Sequence, residues 1–281
     1  MTSITPAVLS CEFFPPRTEL GLQNFRAAYQ SLQALQPAFF SVTFGAGGST
    51  RDATFDTVVE IQRGGQVPAA PHLSCVASSR DSLRQLLLDY QANGIRHLVA
   101  LRGDRPSGSG GSQADELRYA SELVAFIRQE TGDHFKIEVA AYPEVHPQAS
   151  SARSDLRYFK QKVEAGANSA ITQYFYNADA YFHFVDKCQQ QGIEIPIVPG
   201  IMPISNYAQL ARFSETCGAE IPRWLLAQLQ DFGDDSAAIQ AFGIEVVSRL
   251  CRRLLEGGAP GLHFYTLNRA DTVLEIVKTL A

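Results

Sequence analysis

The sequence predicts an α/β protein of the (β/α)8, or TIM, barrel class. Eight short apolar runs recur along the 281 residues. Amphipathic stretches of helical period separate them. Several of the runs carry a polar or charged residue at or just beyond their C-terminal end. Strands alternating with helices imply parallel βαβ units, and eight units of roughly 35 residues suit a closed barrel. An open doubly wound sheet is the competing arrangement, but no G-x-G-x-x-G follows the first run.

The runs are Val8–Phe13, Phe39–Thr43, Ala69–Leu73, His97–Leu101, Lys136–Ala141, Ser169–Gln173, Ile195–Pro199 and Gly261–Tyr265. Between the third and fourth, Leu83, Leu86, Leu87 and Tyr90 repeat at helical spacing within Ser79–Asn93. Between the fifth and sixth, Leu156, Phe159 and Val163 do so within Ser151–Ala165. The stretch Asn268–Leu280 reads as a closing helix, and Pro222–Glu256 as extra helical material before the last strand. "RPSGSGGSQ", Arg105 to Gln113, is too short for a linker and reads as a loop after the fourth strand, so a single domain over 1–281 is expected. In "GAGGST", Ser49 or Thr50 is expected to cap the next helix.

With 45% hydrophobic residues the chain can build a large core, and its net charge of −5 argues against nucleic-acid binding. "MTSITPAVLS" lacks a basic start and a long apolar segment, and no run reaches membrane-spanning length. A cytoplasmic protein without a membrane partner is expected. The five cysteines are scattered without any C-x-x-C, which suits reduced thiols and neither disulfides nor a metal site. No G-x-S-x-G, H-E-x-x-H or EF-hand loop is present.

Strand alternation orients the polar ends. Ser10 and Glu12 share a face opposite Leu9, Cys11 and Phe13; Phe39, Ser41 and Thr43 share one; so do Ala70 and His72. The apolar face must meet the helices, so the polar-ended face points inward at the C-terminal mouth, where barrel active sites form. Arg102 and Asp104 follow the fourth strand, Tyr142, Glu144 and His146 the fifth, Gln173 ends the sixth, and Tyr265, Asn268 and Arg269 end or follow the eighth. Taken singly, Glu12 is an ordinary rim carboxylate or ion-pair partner, and His72 a satisfied core histidine. Asp155 and Lys162, seven residues apart on one helix face, read from spacing alone as a solvated strip. Convergence of these groups on one barrel mouth favours an enzyme with a large polar cavity, suited to an anionic cofactor.

The segments "CEFFPPR", "SVTFGAGGSTRD", "PHLSC", "LRGDRP", "YPEVHP", "GANSAITQYFY", "VPGIMPISN" and "HFYTLNR" together resemble the methylenetetrahydrofolate reductases of bacterial type, from near Ser10 to near Leu280. The resemblance implies the catalytic barrel alone, without the regulatory domain of the eukaryotic enzymes, binding FAD non-covalently. It implies ping-pong reduction of 5,10-methylenetetrahydrofolate to 5-methyltetrahydrofolate by NADH or NADPH, with NADH favoured, supplying methyl groups for methionine synthesis. It also implies a homo-oligomer. A pterin-binding barrel without flavin, such as a methyltransferase folate module, and a barrel that only binds folate or a partner are the alternatives.

By the same resemblance Glu12 is the general acid that opens the imidazolidine ring, which calls for a pKa raised by apolar surroundings. Asp104 is catalytic beside the flavin ring. Thr43, His72, Arg102, Gly103, Asp104, Tyr119, Ala120, Tyr142, His146, Asp155 and Lys162 fall on FAD-binding positions, which makes the Asp155–Lys162 strip functional. Gln173, Phe213, Tyr265 and Arg269 join Glu12 as substrate-binding positions. Tyr158 and Gln161 stand where some relatives carry a polar amide and a basic residue, so one phosphate contact is expected to be missing and FAD to be held more weakly.

Overall fold

The computed structural model describes residues 8–45, 50–76, 78–103 and 116–280. Nine strand segments form one parallel sheet: β1 (Leu9–Phe13), β2 (Phe39–Val42), β3 (Ala69–Ser74), β4 (His97–Leu101), β5 (Lys136–Ala141), β6 (Ser169–Thr172), β7 (Ile197–Val198), β8 (Gly200–Ile201) and β9 (Leu262–Tyr265). Strands β1 to β6 pair in sequence, β7 pairs with β6, β8 with β9, and β9 with β1. Segments β7 and β8 flank Pro199. Proline has no N–H for the ladder, so the seventh stave breaks there, while the Pro199 carbonyl still accepts from His263 N at 3.0 Å. The ring is therefore an eight-stave barrel whose seventh stave is split.

Helices α1 (Glu19–Gln33), α2 (Arg51–Gly64), α3 (Arg80–Ala92), α4 (Ala120–Thr131), α5 (Ala152–Glu164), α6 (Ala178–Gln190) and α7 (Tyr207–Cys217) alternate with the strands. The extra material before the last strand is α8 (Arg223–Asp231) and α9 (Ser236–Glu256), and α10 (Asp271–Leu280) closes the described chain. Leu9, Cys11 and Phe13 point outward into the main core with Phe25 and Leu32 of α1. Phe39, Ala70, Val99 and Ile171 fill the interior, with Leu101 and Tyr265 packed on them. Among the described residues, no helix is long and apolar enough to cross a membrane.

The barrel interior carries polar pairs at two levels. At the N-terminal end, His97 Nε2 lies 2.9 Å from Glu138 Oε1, Lys136 Nζ lies 3.4 Å from the same oxygen, and Phe39 packs on His97 with centroids 4.2 Å apart. These partners outweigh burial and hold the Glu138 carboxyl below its ordinary range. At the C-terminal mouth sits the cluster around Glu12.

One expectation fails in the loop after β2. Thr50 occupies the cap position of α2, but its hydroxyl accepts from Gly45 N at 2.7 Å and caps no helix N–H. Ser49 lies outside the described residues.

Candidate active site

Glu12 stands near the end of β1, 12% exposed at its side chain and pointing into the barrel mouth. Its Oε2 is 3.2 Å from His72 Nε2 on β3 and 3.6 Å from His263 Nε2 on β9. Among the described residues neither imidazole Nε2 makes an aligned hydrogen bond, and both lie against this carboxylate. The opposite nitrogen of His263, Nδ1, is 2.8 Å from Ser10 Oγ, one inward step below Glu12. The Glu12 carbonyl accepts from Thr266 Oγ1 at 2.6 Å, which ties the end of β1 to the end of β9. Asn268, at φ +59°, braces the same seam: Phe14 N donates to its Oδ1 at 2.8 Å and its Nδ2 donates to Phe14 O at 2.9 Å.

The raised pKa expected for Glu12 is not what this environment produces. Burial pushes the carboxyl up, but His72 and His263 together overcome it and hold Glu12 down at about 2. Apolar neighbours suggest a raised value when β1 is read alone; the imidazoles that reverse it come from strands distant in sequence.

Tyr265 sits opposite Glu12 in the β1–β9 register, edge-on to His263 with ring centroids 5.3 Å apart. Its hydroxyl donates to Thr172 O at 2.7 Å, across the split stave. That reach requires Gly200, where a Cβ would lie 2.1 Å from Thr172 O and 2.8 Å from the Tyr265 hydroxyl. Burial pushes the Tyr265 phenol well above its usual range, and the Glu12 charge adds to this. Thr43 follows β2 beside this group, its N–H donating to Phe13 O at 2.9 Å.

A cavity of about 430 Å³ opens between the loops after β4 and β5 and the helices α4 and α5, and its wall residue Leu101 packs on the same interior cluster as Tyr265. Eight positions marked by the family resemblance line it: Arg102, Gly103, Tyr119, Ala120, Tyr142, His146, Asp155 and Lys162. Gly103 adopts φ +84° and packs so closely that a Cβ would fall 1.9 Å from Ser74 Oγ. Arg102 donates to Gln148 Oε1 at 2.7 Å, and Gln148 N donates to His146 Nδ1 at 3.0 Å. His146 N in turn donates to Asp155 Oδ2 at 3.0 Å, and the His146 ring packs against Tyr142 with centroids 4.4 Å apart.

Helix α5 starts at a reciprocal Ser151–Ser154 cap, which sets the phase that turns Asp155 and Lys162 to the cavity. The Lys162 ammonium donates to the Ala140 carbonyl. Burial lowers its pKa to about 8, with Asp155 opposing the shift in part. The solvated strip that spacing alone suggests is thus a cavity wall.

The other candidates lie apart from these two groups. Gln173 lines a small adjoining cleft with Tyr142 and Glu144. Phe213 is half-buried on α7, next to Ser214, whose hydroxyl lies 3.0 Å from that of Tyr174. Arg269 is exposed at the rim. Asp104 lies outside the described residues. Sequence reasoning missed His263, although it lies two residues before Tyr265 on the same inward face and the alternation rule reaches it. It also missed Gln148, for which no motif gave a signal.

The family model for methylenetetrahydrofolate reductase matches residues 3–281. The chain is 43% identical over 272 residues to the 5,10-methylenetetrahydrofolate reductase of Salmonella typhimurium, covering 97% of this chain and 90% of that protein. It is 40% identical over 282 residues to methylenetetrahydrofolate reductase (NADH) 1 of Arabidopsis thaliana, covering 96% of this chain but 48% of the plant protein. A solved protein from Clostridium thermocellum, described as binding two copies of 5-methyl-5,6,7,8-tetrahydrofolic acid, shares the fold at a TM-score of 0.68 and 17% identity, covering 99% of this chain and 95% of that one. With a barrel mouth built around Glu12 and a family match across nearly its whole length, the chain belongs to the methylenetetrahydrofolate reductase family.

Proposed function

We propose that this protein is a flavin-dependent reductase that converts 5,10-methylenetetrahydrofolate to 5-methyltetrahydrofolate with NADH, in two half-reactions at one site. The observation that carries this reading is the adjacency of the Glu12 cluster to a cavity bearing two cations. Arg102 and Lys162 both line the cavity, and so do Ala120 and Ser121 at the N-terminus of α4. Lys162 donates to the Ala140 carbonyl, and Asp155 on the same helix face favours its charged form. Half-buried positive charge beside a helix N-terminus suits the diphosphate of FAD. When bound, FAD supplies a two-electron carrier that accepts hydride from the nicotinamide and yields it to the folate's one-carbon unit.

The protein's own contribution is proton management and positioning. Glu12 gives a proton to N10 of the folate, the bond from N10 to the bridging carbon breaks, and an iminium forms at N5. The carbon then takes the hydride. Because the imidazoles keep Glu12 ionised in the free protein, the proton it donates has to reach it as the substrate binds, at the Oε2 that the Nε2 atoms of His72 and His263 face. Substrate entry removes water from the carboxylate and favours that transfer. Tyr265, held by Thr172, walls the mouth, while Gln173, Phe213 and Arg269 contact whichever substrate is present. Asp104 opposes negative charge on the flavin ring.

Anaerobic mixing tests the reading. NADH should bleach the flavin of the purified protein without folate, and methylenetetrahydrofolate should restore the colour with release of 5-methyltetrahydrofolate. A protein that binds no flavin, or whose flavin NADH leaves oxidised, contradicts it.

A further inference from the structure

The loop after β5 serves two walls of the site. Tyr142 and His146 line the large cavity. Tyr142, Glu144 and Val145 line the adjoining cleft, together with Gln173 and with Cys217 and Gly218 at the end of α7. The division falls at Val145, which adopts φ +72°. In extended backbone Glu144 and His146 would point to the same side. The left-handed residue between them turns Glu144 to the cleft and His146 to the cavity. A β-branched side chain keeps such a conformation only where its surroundings hold it there.

Both sides of Val145 are held. Toward the cavity, His146 N donates to Asp155 Oδ2 and Gln148 N to His146 Nδ1, each at 3.0 Å. Toward the cleft, Glu144 Oε2 accepts from Glu220 N at 2.8 Å, across 76 positions of the chain. Pro147 packs on Gly218, the C-cap of α7, where a Cβ would come within 3.1 Å of the proline ring. Gly218 N donates to Ser214 O at 2.8 Å, and the Ser214 hydroxyl lies 3.0 Å from that of Tyr174, the residue after Gln173. These contacts fix the C-terminal half of α7, which carries Phe213, against the loop that walls the cavity. Burial pushes the Glu144 carboxyl above its ordinary range while the Glu220 N–H opposes the shift. The acceptor is thus partly withdrawn from water, where a hydrogen bond counts for more than on an open surface.

We infer that Glu144 is a positioning residue for the proposed reduction: through Glu220 N it sets where α7, and with it Phe213, stands relative to the cofactor cavity. This rests on the reading above of Phe213 as a contact to either substrate. The effect belongs to substrate binding rather than to the cofactor, because Asp155 and Gln148 hold the cavity side of the loop separately.

The test uses the whole flavin-loaded protein, mixed rapidly without oxygen with NADH and then with methylenetetrahydrofolate, each over a range of concentrations. Glu144→Ala should raise the half-saturating concentration of both substrates roughly tenfold, within what one hydrogen bond to a carboxylate sustains, and keep limiting rates and FAD affinity within about twofold of the wild type. Glu144→Gln should restore most of the loss, because its amide oxygen still accepts from Glu220 N, less strongly than a carboxylate. In a Phe213→Leu background Glu144→Ala should add little, since both changes act on the same contact. Unchanged half-saturation in Glu144→Ala, an equal loss in Glu144→Gln, or a full further loss in the Phe213→Leu background would overturn the inference and leave the reductase reading standing. Weakened FAD binding as the sole effect of Glu144→Ala would overturn it too. A wild type whose flavin NADH does not bleach would overturn both.

Discussion

Glu12 and His72, on strands β1 and β3, meet with Oε2 and Nε2 3.2 Å apart. The contact decides the charge of the carboxylate that the proposed chemistry depends on. Burial alone would push the Glu12 pKa up; this imidazole and that of His263 overcome it and hold the carboxyl ionised. Removing His72 should therefore raise the Glu12 pKa from about 2. In His72→Gln, carboxyl infrared titration of the free protein should show Glu12 protonating at higher pH than in the wild type. A carboxyl that still ionises near 2 would mean that His72 does not set its charge.

The same depressed pKa has a stability consequence. A carboxyl ionising at lower pH in the folded than in the unfolded chain adds stability above its unfolded pKa, lost as pH falls through the folded one. Glu12, falling from 4.5 to about 2, should thus contribute stability that declines between those values. Glu138 has the same sign through His97 and Lys136. Urea unfolding of Glu138→Gln should show a loss of about 3–5 kcal/mol at pH 7, as for a buried pair losing one partner, and a shallower decline toward acid pH than the wild type. Parallel pH curves would assign the acid sensitivity elsewhere.

Lys162 makes the cofactor cavity pH-dependent in the opposite direction. Its ammonium deprotonates near pH 8 in the free protein, and an anionic ligand favours the charged form. Affinity for FAD should fall as pH rises through about 8, and binding near that pH should take up protons. Calorimetry in buffers of different ionisation enthalpy measures the uptake, and Lys162→Ala should abolish it while releasing FAD more readily. Proton uptake unchanged in that variant would remove Lys162 from the phosphate end.

Gly103 joins the barrel to the cavity at φ +84° with no space for a Cβ beside Ser74. Gly103→Ala should weaken cofactor binding and destabilise the chain by about 1–3 kcal/mol through backbone strain and the forced shift of Ser74. The double change Gly103→Ala with Ser74→Gly should recover part of the loss by removing the clash. Equal stability of the single and double variants would show that strain alone acts.

The barrel and the inward face of its strands were legible because alternation and helical period are local properties of the chain. Glu12 and His72 could be turned inward from the parity of their positions, and Tyr265 placed at the mouth from its place at a strand end. What escaped was pairwise. The charge of Glu12 depends on His263, 251 positions away, and no local pattern carries that. Lys162 looked like a solvated lysine because spacing gives the face of a helix but not what the face packs against. The break at Pro199 was local in cause, yet only the pairing of its neighbours with β6 and β9 shows that it splits one stave. The resemblance to known reductases supplied what spacing could not, by marking cavity residues from four separate segments.

In the proposed mechanism Glu12 serves the folate step and no other. Rapid mixing of Glu12→Gln with NADH, and then separately of its reduced form with methylenetetrahydrofolate, tests this directly. Flavin reduction by NADH should stay within a few-fold of the wild type. Reoxidation by the folate should slow by about 10²–10⁴-fold, the usual worth of a positioned acid. Loss of both half-reactions, or folate reduction at the wild-type rate, would contradict it.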